Sequence, residues 1–522
     1  MTDQDLTSIH TTLIGFTKRA EKATDESLVA TFVDSAPLFT LLSTTNNQVI
    51  YGRRGTGKTH ALKVLAEHVE KESEIPVFLD MRTVGSNGSI YADASRPLAE
   101  RASLLISDVL SGILNEFYGI LLKIIEDHPN TDEVTRRLDA FQNAISTVKI
   151  EGEVLEESSE TDKRETSSGL KSLLSLSNSP SASLGFDSTK TSMSSTSKTE
   201  RRTGRETIYL SFGSVSNTLS NLIDIFGGQR VWMLIDEWSE VPIDLQPYLA
   251  DIIRRVLLPI NKVSVKIAAI EHRTNFTILK DRGEYIGLEL GADVSADLNL
   301  DDFLVFDNNQ SKSVEFIGTL IFRHYASTPG IKVRFASYNE LISTLFTQKP
   351  AFEEFVRAVE GVPRDALNLI AKVVTKAFGV PIAMSHVRAG ASDWYNQDKA
   401  AVIKNDESLS RLLQHIVSEV ISNRRARAFL LSSSSRYLEI DRLFDARLLH
   451  ILKKNISSRD DPGARFDAYK IDYGCYVDLI NTTKSPMGLF EVEEGEYIEV
   501  PVDDYRSIRR AILDPTKLVA TG

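Results

Sequence analysis

YGRRGTGKTH, Tyr51 to His60, places three glycines, two arginines and a lysine directly after the apolar run NQVIY. The run fits G-x-x-x-x-G-K-[ST] at every fixed position: Gly52, Gly57, Lys58 and Thr59. The adjoining stretch, THALKVLAEHVEKE, carries helical apolar spacing at Ala61, Leu62, Val64, Leu65 and Val69. A short buried strand, a glycine loop and a helix N-terminus in this order form a cradle for phosphate. Glycines let backbone N–H groups wrap the anion, and the helix dipole adds positive potential there. The ligands expected are ATP and Mg²⁺. Gly52, Arg53, Arg54, Gly55, Thr56, Gly57, Lys58, Thr59 and His60 are the expected binding residues. Lys58 is expected to reach the β- and γ-phosphates, and the Thr59 hydroxyl to ligate the metal.

The next strong signal lies far downstream. RVWMLIDEWSEVP is an apolar run closing on Asp236 and Glu237, which reads as a buried parallel strand with two acids at its C-terminal end. In phosphate-loop ATPases the acid at that position helps to hold Mg²⁺, the role assigned to Asp236. Glu237 is the candidate general base for the attacking water. In VSVKIAAIEHRTNFTILKDRGEYIGLEL the pattern predicts a strand to Ile270, a short helix over Asn275–Lys280 and another strand from about Tyr285. Glu271, His272 and Arg273 compete for a place beside the γ-phosphate. Arg273 is the best fit to a charge sensor because it is always cationic. Arg282 precedes the last of these strands.

From about Leu300 the periodicity is helical. Gly361-Val362-Pro363-Arg364 opens one helix, with proline fixing the first turn and Arg364 inside it, where a guanidinium can report on the γ-phosphate. From about Asp406 the pattern changes again. ESLSRLLQHIVSEVISNRRARAFLL reads as a helix running into a strand, EIDRLFDARLLHILKK as a second amphipathic helix, and RFDAYKIDYGCYVDLI as a strand or hairpin. Helices with a β-wing after them predict a winged-helix-like module. Its basic residues, Arg424, Arg425, Arg427, Arg447, Lys453, Lys454 and Arg459, make duplex DNA one candidate partner, with protein contacts as the alternative.

Between the two motifs, residues 156–206 are rich in Ser and Thr and poor in large apolar residues, the composition of a mobile insertion. Lys198, Arg201, Arg202 and Arg205 give it a basic end. The 522-residue chain has one cysteine, Cys475, which excludes an intrachain disulfide and a cysteine metal cluster. Its net charge of −12 argues against general coating of polyanions but allows a local basic face. The N-terminus lacks the pattern of a signal peptide, and no apolar run is expected to span a bilayer. The expectation is a cytoplasmic protein with no membrane partner.

Taken in order, the phosphate loop, MLIDE, AAIE, Arg282 and GVPRDALN resemble an AAA+ ATPase of the initiator and clamp-loader clade, which includes the origin-recognition proteins. The resemblance implies an α/β fold with a parallel-sheet core over 1–298, a helical lid over 299–400 and a winged-helix-like module over 401–522. It also implies that Arg364 is a second sensor and that Arg282 is an arginine finger reaching a neighbour's ATP. A finger of that kind implies a homo-oligomer or a partner protein. The chemistry implied is Mg²⁺-assisted attack of water on ATP, driving a switch that acts with DNA. GVPRDALN also resembles the G-x-P segment of STAND-class signalling ATPases, in which ATP locks an oligomer that controls a protein partner.

Overall fold

The computed structural model describes residues 3–16, 23–34, 37–84, 88–124, 131–146, 148–151, 205–208, 211–301, 310–433, 437–457, 463–480 and 512–513. In chain order its strands are β1 (Gln48–Tyr51), β2 (Ile75–Asp80), β3 (Val148–Glu151), β4 (Arg205–Ile208), β5 (Val231–Asp236) and β6 (Val263–Ala269). The later strands are β7 (Thr277–Leu279), β8 (Tyr285–Gly287), β9 (Ser295–Asn299), β10 (Ala428–Ser432), β11 (Leu449–Ser457) and β12 (Arg465–Ile471).

Five of these build the core sheet, in the order β2-β5-β6-β1-β9, and all its pairings are parallel. Every residue of β1, β5 and β6 is buried, as expected of central strands covered on both faces. The chain leaves β1 into the glycine loop and returns as the helix Lys58–Lys71, whose apolar stripe, Ala61, Leu62, Val64, Leu65 and Val69, is buried. Because the chain leaves β1 toward β2, past β6 and β5, but leaves β6 in the other direction, past β1 to β9, the loop opens at a topological switch point. Ligands of open parallel sheets bind in such crevices. The acids of β5 end two strands away on the same edge.

The insertion between β2 and β5 is anchored by helices. Leu98–Ile124 is long and apolar enough, by length and composition, to cross a membrane, which the expectation of no such run missed. Its inward stripe, Leu105, Val109, Leu110, Ile113, Phe117 and Leu121, is buried in the same cluster as the sheet, the placement of a core helix. β3 and β4 then pair antiparallel, so the ends of the Ser/Thr-rich segment meet in a two-stranded stem. Most of that segment, with Lys198, Arg201 and Arg202, lies outside the described residues, as does Arg459.

Two local expectations are corrected. Residues 275–280 do not form a helix: Thr277–Leu279 is strand β7, paired antiparallel with β8 in a hairpin. The reason is the turn at Asp281–Gly283 and Gly287, whose φ of +115° allows a close backbone approach to Phe276, so the local pairing wins over the weak helical spacing. The second helix of the C-terminal module stops at Asp445, not at Lys454. Arg447 adopts φ +61°, which ends the helix, and Leu449 onward becomes β11 because β12 supplies a partner strand. The helix Asp3–Ile14 packs on the lid helices: Leu6, Ile9 and Leu13 are buried in one cluster with them.

Past β9, the helices Gln310–Ala326, Tyr338–Leu345, Lys349–Val359, Pro363–Lys376 and Met384–Trp394 form the lid. Pro363 stands in the first turn of its helix. The C-terminal module holds the antiparallel sheet β10-β12-β11 with the helices Glu407–Ile416 and Leu438–Asp445, a winged-helix-like arrangement. Lid and module share one continuous hydrophobic core.

Candidate nucleotide site

A cleft of about 490 Å³ lies where core, lid and N-terminal segment meet, within the roughly 300–1,000 Å³ range of small-molecule sites. Arg54, Gly55, Gly57, Lys58, Thr59 and His60 line it from the loop, Arg82 and Glu237 from neighbouring strand ends, and Pro363 and Arg364 from the lid. Gly55 and Gly57 have φ of +91° and +99°, conformations that let the loop curl back on itself and that other residues adopt at a cost.

Lys58 is buried, and its Nζ donates to the carbonyls of Gly52 at 2.7 Å and Arg53 at 3.0 Å. Burial pushes its pKa down, against the opposing pull of Glu237, Asp236 and Asp301. The lysine is therefore stored on loop carbonyls with three acids around it. Asp236 is fully buried, and burial raises its pKa to about 6, offset in part by the Thr59 hydroxyl. Its Oδ1 accepts the Glu237 N–H at 2.9 Å, while Oδ2 has no hydrogen-bond partner among the described residues. A buried, orphaned carboxylate oxygen beside a threonine hydroxyl is a hard-oxygen donor pair, which fits Mg²⁺ supplemented by phosphate and water oxygens. Glu237 sits at φ +53°, a strained conformation for a residue with a side chain, and Arg82 Nη1 stands 3.9 Å from its Oε1. Strain of this kind is held in place by its surroundings and concentrates at functional sites.

The lid closes directly on the loop. The Arg364 N–H donates to the Gly55 carbonyl at 3.2 Å. A Cβ on Gly55 would lie 2.9 Å from the Arg364 Cβ and 3.2 Å from a Val362 methyl. Gly55→Ala is therefore expected to drive the lid helix off the loop and weaken binding of a fluorescent ATP analogue about tenfold, through strain and lost closure together.

The other end of the cleft is lined by Phe16, Leu28, Leu320, His324, Pro329 and Leu367, an apolar wall suited to a flat base. His60 Nε2–H donates to the Leu28 carbonyl at 2.7 Å and ties this segment to the phosphate helix. His324 is held neutral by burial, its pKa lowered to about 4. None of this wall was legible in the sequence, since its residues come from the N-terminus and the lid and match no motif.

Other expected site residues are placed elsewhere. Arg53 is turned away from the cleft: its N–H and Nε both donate to Asp301, at 2.9 and 2.7 Å, and its guanidinium lies over the Phe444 ring. Gly52 and Thr56 brace the loop from within, Thr56 Oγ1 donating to the Arg53 carbonyl. The three first-sensor candidates all face the C-terminal module. Glu271 pairs with Lys454, His272 lies 3.4 Å from Asp441, and Arg273 Nε lies 3.2 Å from Asp445. The acids on the Leu438–Asp445 helix drew His272 and Arg273 across the domain seam, a partnership that spacing along the chain could not reveal. Arg282 occupies the turn at the tip of the β7–β8 hairpin. Asp301 was missed; its only sequence signal was an acid just past the last core strand.

No curated protein matches this chain. A family model, ORC-CDC6-like, matches residues 16–286, just over half of the chain, and that span carries the phosphate loop, the Asp236–Glu237 strand end and four of the five core strands. By that match and by its sheet order, the chain belongs to the ORC-CDC6-like family of the AAA+ initiator clade.

Proposed function

We propose that this protein binds and hydrolyses ATP as a molecular switch that assembles with copies of itself or with a partner, acts with DNA and works in the cytoplasm. The observation that supports this reading best is the meeting of Lys58, Glu237 and the lid's Arg364 around one cleft. In this reading Lys58 leaves the Gly52 and Arg53 carbonyls and stabilises charge on the phosphates. Glu237 orients the attacking water and accepts its proton, and Arg364 couples the phosphate end to the lid. Asp236 and Thr59 would hold Mg²⁺, which would supply charge neutralisation at the phosphate oxygens. Arg282, at its hairpin tip, reaches the ATP of a neighbouring copy. Positioning and electrostatics supply nearly all of the catalysis in such phosphoryl transfers.

The DNA surface in this reading is the wing, where Lys453 and Arg465 are exposed on β11 and β12. It is not the face carrying Arg447 and Lys454, which pair with Asp365 and Glu271 of the same chain. Each phosphate contact contributes about −0.9 to the slope of log affinity against log salt. Lys453→Ala combined with Arg465→Ala is expected to flatten that slope by up to about two units, with ATP binding unchanged. Fluorescence anisotropy with a labelled duplex at several salt concentrations measures it, alongside ATP turnover with and without DNA.

A second reading, a STAND-like switch that controls a protein partner, is favoured by those same pairs, because they hold the module against the lid and the core as a restraint. ATP-driven assembly indifferent to DNA, or no DNA binding in any nucleotide state, selects it over the first.

A further inference from the structure

Behind the phosphate loop, on the side away from the cleft, a chain of buried charged groups crosses three parts of the molecule. It starts at Arg53, which is 3% exposed and is held by Asp301 from the end of the core sheet. The Arg53 Nη1 also meets Nδ1 of His450, a residue of β11 in the C-terminal module. His450 Nε2 lies 3.0 Å from Asp472 Oδ2, and Asp472 binds Lys399 at 2.5 Å. Lys399 lies 3.2 Å from Asp365, which also pairs with Arg447. Asp365 is the neighbour of Arg364, whose N–H returns to the loop at Gly55. The path therefore runs from loop to module to lid and back to the loop.

The protonation of His450 is set by its partners. A guanidinium only donates, so Nδ1 must be the acceptor, and Nε2–H then donates to Asp472. Burial and the Arg53 charge both hold the imidazole neutral, with a pKa lowered to about 3. Arg53 is thus fixed at its far end by a side chain from another domain. At its near end, the Arg53 carbonyl accepts from Lys58 Nζ, from the Thr56 N–H at 3.4 Å and from the Thr56 hydroxyl at 2.9 Å. The residue that stores the phosphate-binding lysine is the same one that the C-terminal module grips.

We infer that His450 is a positioning residue for the phosphate loop, one that ties the loop's geometry, and so its affinity for nucleotide, to the docking of the C-terminal module. By linkage the coupling runs both ways: nucleotide that reshapes the loop alters how firmly the module is held. This rests on the reading of the cleft as the ATP site.

The test separates the two ring nitrogens. In the full chain, His450→Asn keeps an acceptor near the Nδ1 position, whereas His450→Gln keeps a donor near the Nε2 position. With a fluorescent ATP analogue as probe, His450→Gln and His450→Ala are expected to bind about tenfold more weakly, the scale of one lost hydrogen bond to a charged group. His450→Asn is expected to stay near wild type, although it loses the bond to Asp472. Arg53→Ala with His450→Ala is expected to bind no more weakly than the weaker single variant, since both remove one interaction. Thermal unfolding, recorded in parallel, identifies variants that fail to fold, and the Asn and Gln pair then decides the matter. Wild-type binding in all His450 variants, equal losses in Asn and Gln, or additive losses in the double variant overturn the inference while leaving the ATP site intact. A wild-type chain that does not bind the probe overturns both.

Discussion

Glu237→Gln is expected to bind ATP as wild type does and to hydrolyse it about 10²–10⁴-fold more slowly, the range contributed by a positioned general base. The substitution is nearly isosteric. It keeps the backbone N–H bond to Asp236 Oδ1 at 2.9 Å, and the neutral amide still fits beside Arg82. The strained backbone at φ +53° is unchanged, because the conformation is imposed by the turn from β5 into the Trp238–Glu240 helix. What is lost is an oxygen able to take a proton. Trp238, next in the chain, is fully buried and bonded to Gln246, which anchors the turn that carries Glu237. Single-turnover phosphate release, paired with a calorimetric ATP titration, separates the two effects. Hydrolysis at the wild-type rate would move the base elsewhere, and weakened binding would make Glu237 part of the phosphate cradle.

Lys58→Ala is expected to lower ATP affinity by about 10²-fold or more, as befits the loss of charge-assisted contacts to a polyanion in a buried site. The structure adds a second cost. Lys58 Nζ satisfies two loop carbonyls and stands among Asp236, Glu237 and Asp301. Removing it takes away the cation that offsets Asp236 and Glu237, while Asp301 keeps Arg53, so the field at the loop becomes more negative and repels phosphate. Calorimetry should then show no heat of binding at concentrations that saturate wild type. The rise in melting temperature that ATP·Mg²⁺ gives a binding-competent protein should also vanish. Binding within tenfold of wild type would show that Arg54 or Arg364 carries the phosphate charge.

Both predictions concern residues that were legible from the linear chain, and there is a physical reason. The phosphate loop is a local object: strand, glycines, lysine and helix are contiguous, so backbone conformation and N-terminal dipole are set by neighbours in sequence. The β5 acids are local in the same sense, since an apolar run long enough to be a buried strand must end somewhere, and its polar end faces the sheet edge. Pro363 likewise announced the helix that carries Arg364. Fold class and the main candidate residues could be read at that level.

What the sequence could not decide were the pairings across long separations. Residues 446–454 have an apolar pattern compatible with a helix, and only the presence of β12 alongside turns their second half into β11. Arg53 and Arg54 are adjacent and identical in type, yet one is buried against Asp301, Phe444 and His450 while the other is exposed and pairs with Glu240 at 2.7 Å. Arg273 looked like a sensor because its charge is permanent, but a cation goes where a partly buried carboxylate lacks a partner, and Asp445 on the module supplies one. Sequence by itself determined the strand–glycine-loop–helix unit and the acidic strand end, because those depend on short-range geometry. Tertiary structure alone decided which charges line the cleft and which pair across the domains, because an ion pair is chosen by proximity and burial, and neither is written in the spacing of residues along the chain.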